Sequence, residues 1–336
     1  MWSTVPARAG AVLRRSLTGS ARRVRRGWSD TVAGIAAQDT AANPALRAAV
    51  PRPSDRALLR LSGATLTLVG ILLLGFVVQV VGVSELSEAR AQSLLYQDLR
   101  VELANATAPV SQVDAHNRLY PLGTAVAVLS APAIGLHQVV VEGTSSGTLL
   151  AGPGHRRDTP LPGQSGSSVI LGRQSAYGAP FGDISRLAAG DVITATTGQG
   201  VSRYTVDDVR FAGDTQPPAL TGKQGRLTLV SAVGLPYLPY GVVRVDATLT
   251  GTAFVTPNPV LLVGSLTDSE GTLASDPSGW LPLTFLLEGA VAALVLFTIA
   301  NRRWGRWHTW IVAIPVSLLL GAGIGEQVIV LLPNLY

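Results

Sequence analysis

The chain has no cysteine. That absence excludes disulfides, thiolate metal sites and a cysteine nucleophile at once. Charge is scarce as well. Asp, Glu, Lys and Arg make up 14% of the 336 residues, where a soluble protein carries about 25%. Mean hydropathy lies above zero, so part of the chain is expected in a bilayer. Lysine is nearly missing, with Lys223 alone beside 25 Arg, a bias that fits a GC-rich genome such as an actinobacterial one. The histidines show no metal-ligand spacing. No metal site and no cofactor are expected.

What the chain does contain is three apolar spans. Residues 61–83 hold no charge, residues 280–300 hold one acid, Glu288, and residues 309–332 hold one acid, Glu326, with a kink expected at Pro315. Each reaches the roughly 20 residues needed to cross a bilayer. The first starts too deep for a cleaved signal peptide and reads as a signal anchor. Gly321 and Gly325 form a small-xxx-small pair suited to close helix packing.

Charge orients the spans. Residues 1–60 carry eleven Arg against three Asp, and the loop 301–308, "NRRWGRWH", adds three Arg and no acid. Residues 84–279 hold 12 basic and 16 acidic side chains. Positive segments stay cytoplasmic. A multi-pass cell-membrane protein is expected, with its N-terminus inside and residues 84–279 outside. The segment 1–60 reads as disordered, its arginines facing anionic headgroups at the inner leaflet. No nucleic-acid motif accompanies them, so no nucleic-acid partner is expected.

On that topology Glu288 and Glu326 lie about 12 Å and about 9 Å below the outer boundary at the helical rise. Two ionised carboxylates there would repel, so either one is protonated or a cationic partner meets them. Hydration at the boundary is the simpler reading.

The outer region divides in two. Residues 84–122 begin with a helix continuing from the first span and end in an approach segment. Residues 123–250 change to short β-rich runs separated by Gly, Pro and Asp: 124–130, 137–143, 167–172, 191–197, 203–211, 226–232 and 242–249. So many short strands in so few residues indicate a closed barrel or a sandwich. Residues 251–279, rich in Thr, Pro, Ser and Gly, read as a tether back to the membrane. The run "RLTLVSAVG" (226–234) is of special interest. It is a buried strand expected to stop at Ser231 and Ala232 and to open into a Gly/Pro loop, a common place for chemistry.

The stretch "AIGLHQVVVEGTSSGTLLAGPGHRRDTPLPGQSGSSVILGRQSAYGAPFGDISRLAAGD", followed by "LTLVSA", resembles the sortases, cell-wall transpeptidases of Gram-positive bacteria, and their actinobacterial class E branch most of all. The resemblance covers about residues 92–250. "GPGH", "LPGQSG", "GAPF" and "LAAGD" stand in the family's order and spacing. It implies an eight-stranded β-barrel with a peptide groove. It also implies a reaction that cuts Leu-Pro-x-Thr-Gly or Leu-Ala-x-Thr-Gly signals and joins them to an amine.

That reaction needs a thiolate, a histidine acid and an arginine donor. By resemblance the three positions fall on Ala232, Arg173 and Val242, with Arg244 two residues on and facing the same way. Alanine is no nucleophile, and a guanidinium does not shuttle protons at neutral pH. No catalytic residue is assigned. The chain reads as an inactive, sortase-like membrane protein that binds or scaffolds an envelope protein or peptide, with His155, Arg173 and Arg244 as groove-binding residues. Two alternatives remain. One is an enzyme using another nucleophile, with Ser231 and His155 as the thinkable pair, although Ser231 is expected to point away from the groove. The other is a structural subunit acting through its spans. His116, His137 and His308 carry no role. "LPLTF" (281–285) copies the start of a sorting signal, but helix-start chemistry explains its proline equally well.

The topology is testable. A reporter active only outside the cell works at Asp268 and after Tyr336 and fails at Gly305. Activity at Gly305 with silence after Tyr336 refutes the three-span arrangement.

Overall fold

The structure is a computed structural model that describes residues 53–303 and 306–336. The basic segment expected to be disordered lies, up to residue 52, outside the described residues. Residues 53–60 are helical, so the first helix starts earlier than the apolar run. Proline is tolerated in a first helical turn because its missing N–H is an orphan there anyway.

Helix α1 (Pro53–Val78) passes through a π-turn (Gln79–Val83) into α2 (Ser84–Ala104). Helices α3 (Trp280–Arg303) and α4 (Arg306–Leu331) follow the barrel. The three helical stretches 62–104, 277–301 and 307–331 are long and apolar enough to cross a membrane. Close approach of α1 and α4 depends on glycine. A Cβ at Gly321 would lie 2.0 Å from the Leu72 carbonyl oxygen, and one at Gly75 would lie 2.4 Å from that of Leu318. Gly325 packs on Phe76 and Gln79 in the same seam. Glu288 and Glu326 are exposed, and neither forms an ion pair among the described residues.

Between the helices, eight strands close into a barrel in the order β1-β2-β3-β4-β7-β8-β6-β5. They are β1 (Ala125–Ala131), β2 (Leu136–Glu142), β3 (Gly154–His155), β4 (Gly166–Leu171), β5 (Val192–Thr197), β6 (Gly200–Arg210), β7 (Gly225–Leu235) and β8 (Leu238–Thr250). Alternate residues turn inward, and Leu129, Val140, Ile170, Ile193, Leu229 and Val245 meet in one core. The β4–β7 pair is parallel, with Leu171 opposite Val230. The β7–β8 pair is antiparallel, with Ala232 opposite Val242. Helix α2 pins this barrel from outside. Leu99 is buried among Ala108, Ala125 and Val139. The Gln92 amide donates to the carbonyls of Val139 (3.0 Å) and Ala151 (2.7 Å) and accepts from the Val139 N–H (2.7 Å).

Two sequence expectations need correction. The strand expected to end at Ala232 runs on to Leu235 and turns straight into β8. A register shift at Val233/Gly234 absorbs the extra residue, and Gly234 takes φ 139°, which a side chain would resist. A hairpin therefore stands where an open loop was expected. The two-residue β3 was missed, because its "GH" carries no periodicity to read.

Overpacking a close helix contact costs about 1–3 kcal/mol. Gly321→Leu is therefore expected to lower the melting temperature of the detergent-solubilised chain. Gly70→Leu, whose Cβ would meet nothing within 4 Å, is the control. Equal melting of the two variants would remove the α1–α4 seam from the account.

Candidate functional site

The site lies on the outer face of β4, β7 and β8. Antiparallel pairing sets Ala232 directly against Val242, and Val230 against Arg244. Strand β4 runs parallel to β7 and ends at Leu171 opposite Val230. The Gly172 N–H continues the ladder to the Val230 carbonyl at 3.0 Å. Arg173 follows two residues after the end of β4, and Ala232 and Val242 face one another across β7 and β8.

No nucleophile stands on that surface. Ala232 and Val242 are buried with Val230, Leu149 and Leu171 in an apolar patch. Ser231 points the other way, into the barrel wall, where it is fully buried and its hydroxyl donates to the Gly172 carbonyl at 3.0 Å. Arg244 is half-buried and makes no ion pair among the described residues. One register step away, Asp246 is buried. It receives the Arg210 Nε–H and, at 2.7 Å, the Thr228 hydroxyl.

Arg173 departs from the expectation of a guanidinium offered to a ligand. It is 1% exposed. Its Nη2 donates to the Ser146 carbonyl and hydroxyl, both at 2.8 Å, and its Nη1 donates to the Tyr336 backbone oxygen at 3.1 Å. Burial pulls its pKa down to about 10, against a smaller upward pull from Tyr177 and Tyr237. It remains charged at neutral pH; Nη1 and Nη2 are bonded, and the buried Nε has no hydrogen-bond partner among the described residues.

His155 also departs from its expected place in the groove. Strand β3 pairs it with Glu142 of β2, which puts the ring inside the structure at 0% exposure. Its Nδ1 lies 2.9 Å from a Glu142 carboxylate oxygen and its Nε2 lies 3.1 Å from the Pro160 carbonyl. Both ring nitrogens are occupied, so neither is free for a ligand or for Ser231. His116, His137 and His308 are exposed and far apart in the fold. Among the described residues no His/Cys/Asp/Glu cluster could hold a metal ion.

The segment after α4 was missed as part of the site. Leu335 is 0% exposed and packs into the Ala232–Val242 patch. Its carbonyl accepts the Gln174 N–H at 2.9 Å. The Asn334 amide donates to the Thr144 carbonyl (2.6 Å) and the Gly271 carbonyl (2.8 Å). Residues 251–279, expected as a bare tether, contribute here. Glu270 is buried, ion-paired to Arg157 at 2.5 Å, and its carbonyl receives the Thr144 hydroxyl at 2.6 Å. The signal in the sequence was the proline after the last span, which ends a helix. A cavity of about 590 Å³ opens beyond Gln174, lined by His137, Gln138, Ser175, Gly234 and Pro236 among others.

Burial lowers the His155 pKa. The Glu142 charge and hydrogen bond, the Pro160 carbonyl and Asp158 raise it, and the net shift is upward. A raised folded pKa contributes stability that is complete below the unfolded value of about 6.5 and is lost as pH rises through the folded value. The melting temperature is expected to fall across that window in the native chain and to stay flat there in His155→Gln. An identical pH slope in both would refute the coupling.

Residues 129–237 match the family model of the sortase domain. No curated protein matches the chain. Among solved structures, the chain is similar to sortase E from Streptomyces avermitilis, at 28% identity over 40% of this chain and 92% of that one, with a TM-score of 0.34. It is also similar to a sortase D5 transpeptidase of Clostridium perfringens, at 20% identity over 48% and 99%, TM-score 0.40. Sortase A of Corynebacterium diphtheriae, a lid mutant, matches at 20% identity over 48% and 95%, TM-score 0.36. A closed eight-stranded barrel and the family-model match agree: the chain carries a sortase-like domain.

Proposed function

We propose that the chain is a membrane-anchored, sortase-like pseudoenzyme that binds or scaffolds an envelope protein or peptide outside the membrane. On this reading residues 84–279 are extracytoplasmic, the N-terminus is cytoplasmic, and the barrel is of the actinobacterial class E type. One observation carries the proposal. The position that matches the catalytic cysteine is Ala232, whose methyl group faces an apolar patch of Val230, Val242, Leu149 and Leu171. Acyl transfer needs a nucleophile, a proton donor and an oxyanion donor acting together. Ala232 has no lone pair to offer, Ser231 spends its hydroxyl on Gly172, and Arg173 holds its protons at neutral pH with every bond directed at backbone or Ser146. A groove without these groups retains shape and hydrogen-bonding capacity, which suffice for binding.

The full chain in detergent is expected to release no product from Leu-Pro-x-Thr-Gly or Leu-Ala-x-Thr-Gly peptides and to form no acyl intermediate. Ala232→Cys alone is expected to recover little, because such groups act as a unit. Peptide turnover that Ser231→Ala abolishes would overturn the proposal. Affinity capture from native membranes tests the scaffolding half: a partner lost only when 280–332 is exchanged for an unrelated hairpin would assign the function to the helices instead.

A further inference from the structure

The groove over Ala232 is already filled, and the occupant belongs to the same chain. Helix α4 ends at Leu331, and Pro333 prevents the helix from continuing. Residues 333–336 then fold as a turn, closed by the Tyr336 N–H donating to the Pro333 carbonyl at 3.1 Å, against the patch formed by β4, β7 and β8. Two kinds of contact hold them. Main-chain bonds come first: Asn334 N–H to the Ala274 carbonyl at 2.8 Å, Gln174 N–H to the Leu335 carbonyl at 2.9 Å, and Arg173 to the Tyr336 oxygen at 3.1 Å. Side-chain contacts come second: Leu335 sits fully buried in its socket, and the Asn334 amide is held by the Thr144 and Gly271 carbonyls. This division is that of a bound peptide, in which backbone bonds supply affinity and pockets read selected side chains.

We propose that residues 333–336 are an intramolecular ligand of this groove, and that the groove is a binding site for a peptide turn presenting an amide side chain followed by a leucine. Ala232 forms the floor of the socket. Its small side chain leaves the Leu335 side chain room between Val230, Val242, Leu149 and Leu171. The segment is tethered directly to α4, so its effective concentration at the groove is that of a short linker, in the millimolar range. A peptide offered in solution competes poorly until the segment is displaced. The open cavity beyond Gln174 gives a longer peptide somewhere to continue. The inference deepens the binding half of the proposed function and rests on the groove being a binding surface. It does not require catalytic silence.

Because the chain has no cysteine, Ala232→Cys supplies a single thiol at the socket floor. In the full chain in detergent, that thiol is expected to react slowly with a maleimide. Adding Leu335→Asp is expected to raise the rate at least tenfold, and a synthetic Leu-Pro-Asn-Leu-Tyr peptide to lower it again. The same peptide with its second leucine replaced by aspartate is expected not to protect. A melting curve checks that each variant is folded, and Leu335→Ala replaces Leu335→Asp if the charge prevents folding. Equal labelling with and without the Leu335 change would show that the segment does not cover the site. Faster labelling with no protection by peptide would show a fixed plug and overturn the binding site. Cleavage of the peptide in the same samples would count against the pseudoenzyme reading alone.

Discussion

A guanidinium withdrawn from water constrains everything around it. Burying a charge is costly unless hydrogen bonds replace its hydration. Arg173 meets part of this with bonds from Nη1 and Nη2 to oxygens of Tyr336 and Ser146. Each of these oxygens belongs to a segment that must be held still to supply it. Ser146 is held in turn because its hydroxyl lies 3.1 Å from the Ile329 and Leu332 carbonyls, at the end of α4 where backbone oxygens lack helical partners. One buried cation thus ties the loop after β2, the end of a membrane-type helix and the segment beyond it to the rim of the barrel.

The barrel makes this arrangement rigid. The parallel β4–β7 pair and the antiparallel β7–β8 pair fix Gly172, Ala232 and Val242 with no freedom to slide, since a one-residue slip would exchange the core face for the outer face. Ser231 and Ala232 show the consequence of period two at a site where it decides the chemistry. The hydroxyl is locked inward and the methyl faces the groove. A reactive atom and an inert one are adjacent in sequence, and the fold presents the inert one.

Much of this was legible in the sequence, and for identifiable reasons. The spans follow from uninterrupted apolar runs, and most strands from alternation bounded by glycine and proline. Arg173 and Ala232 stood out in the sequence because motifs flank them at fixed distances along the chain. What escaped was non-local. Nothing near His155 announces that Glu142 will meet it across β2 and β3 and take it out of the groove. Nothing near Leu335 announces a socket assembled from Leu149, Leu171, Val230, Ala232 and Val242, residues drawn from distant parts of the chain. The β7–β8 hairpin was misread because a Gly/Pro cluster signals a loop, whereas here a bulge at Gly234 keeps the strands paired to the turn.

The short distance between helix and groove has a mechanical consequence. Only Leu332, Pro333 and Asn334 separate the last helical residue from the buried Leu335. A chain spans at most about 3.3–3.6 Å per residue, so this linker limits how far the end of α4 and a seated Leu335 can separate. The Gly75, Gly321 and Gly325 contacts hold α4 against α1, so the seam between helices and the contents of the groove are set by one set of constraints. The segment that fills the groove and the helix held in that seam are thus joined by three residues.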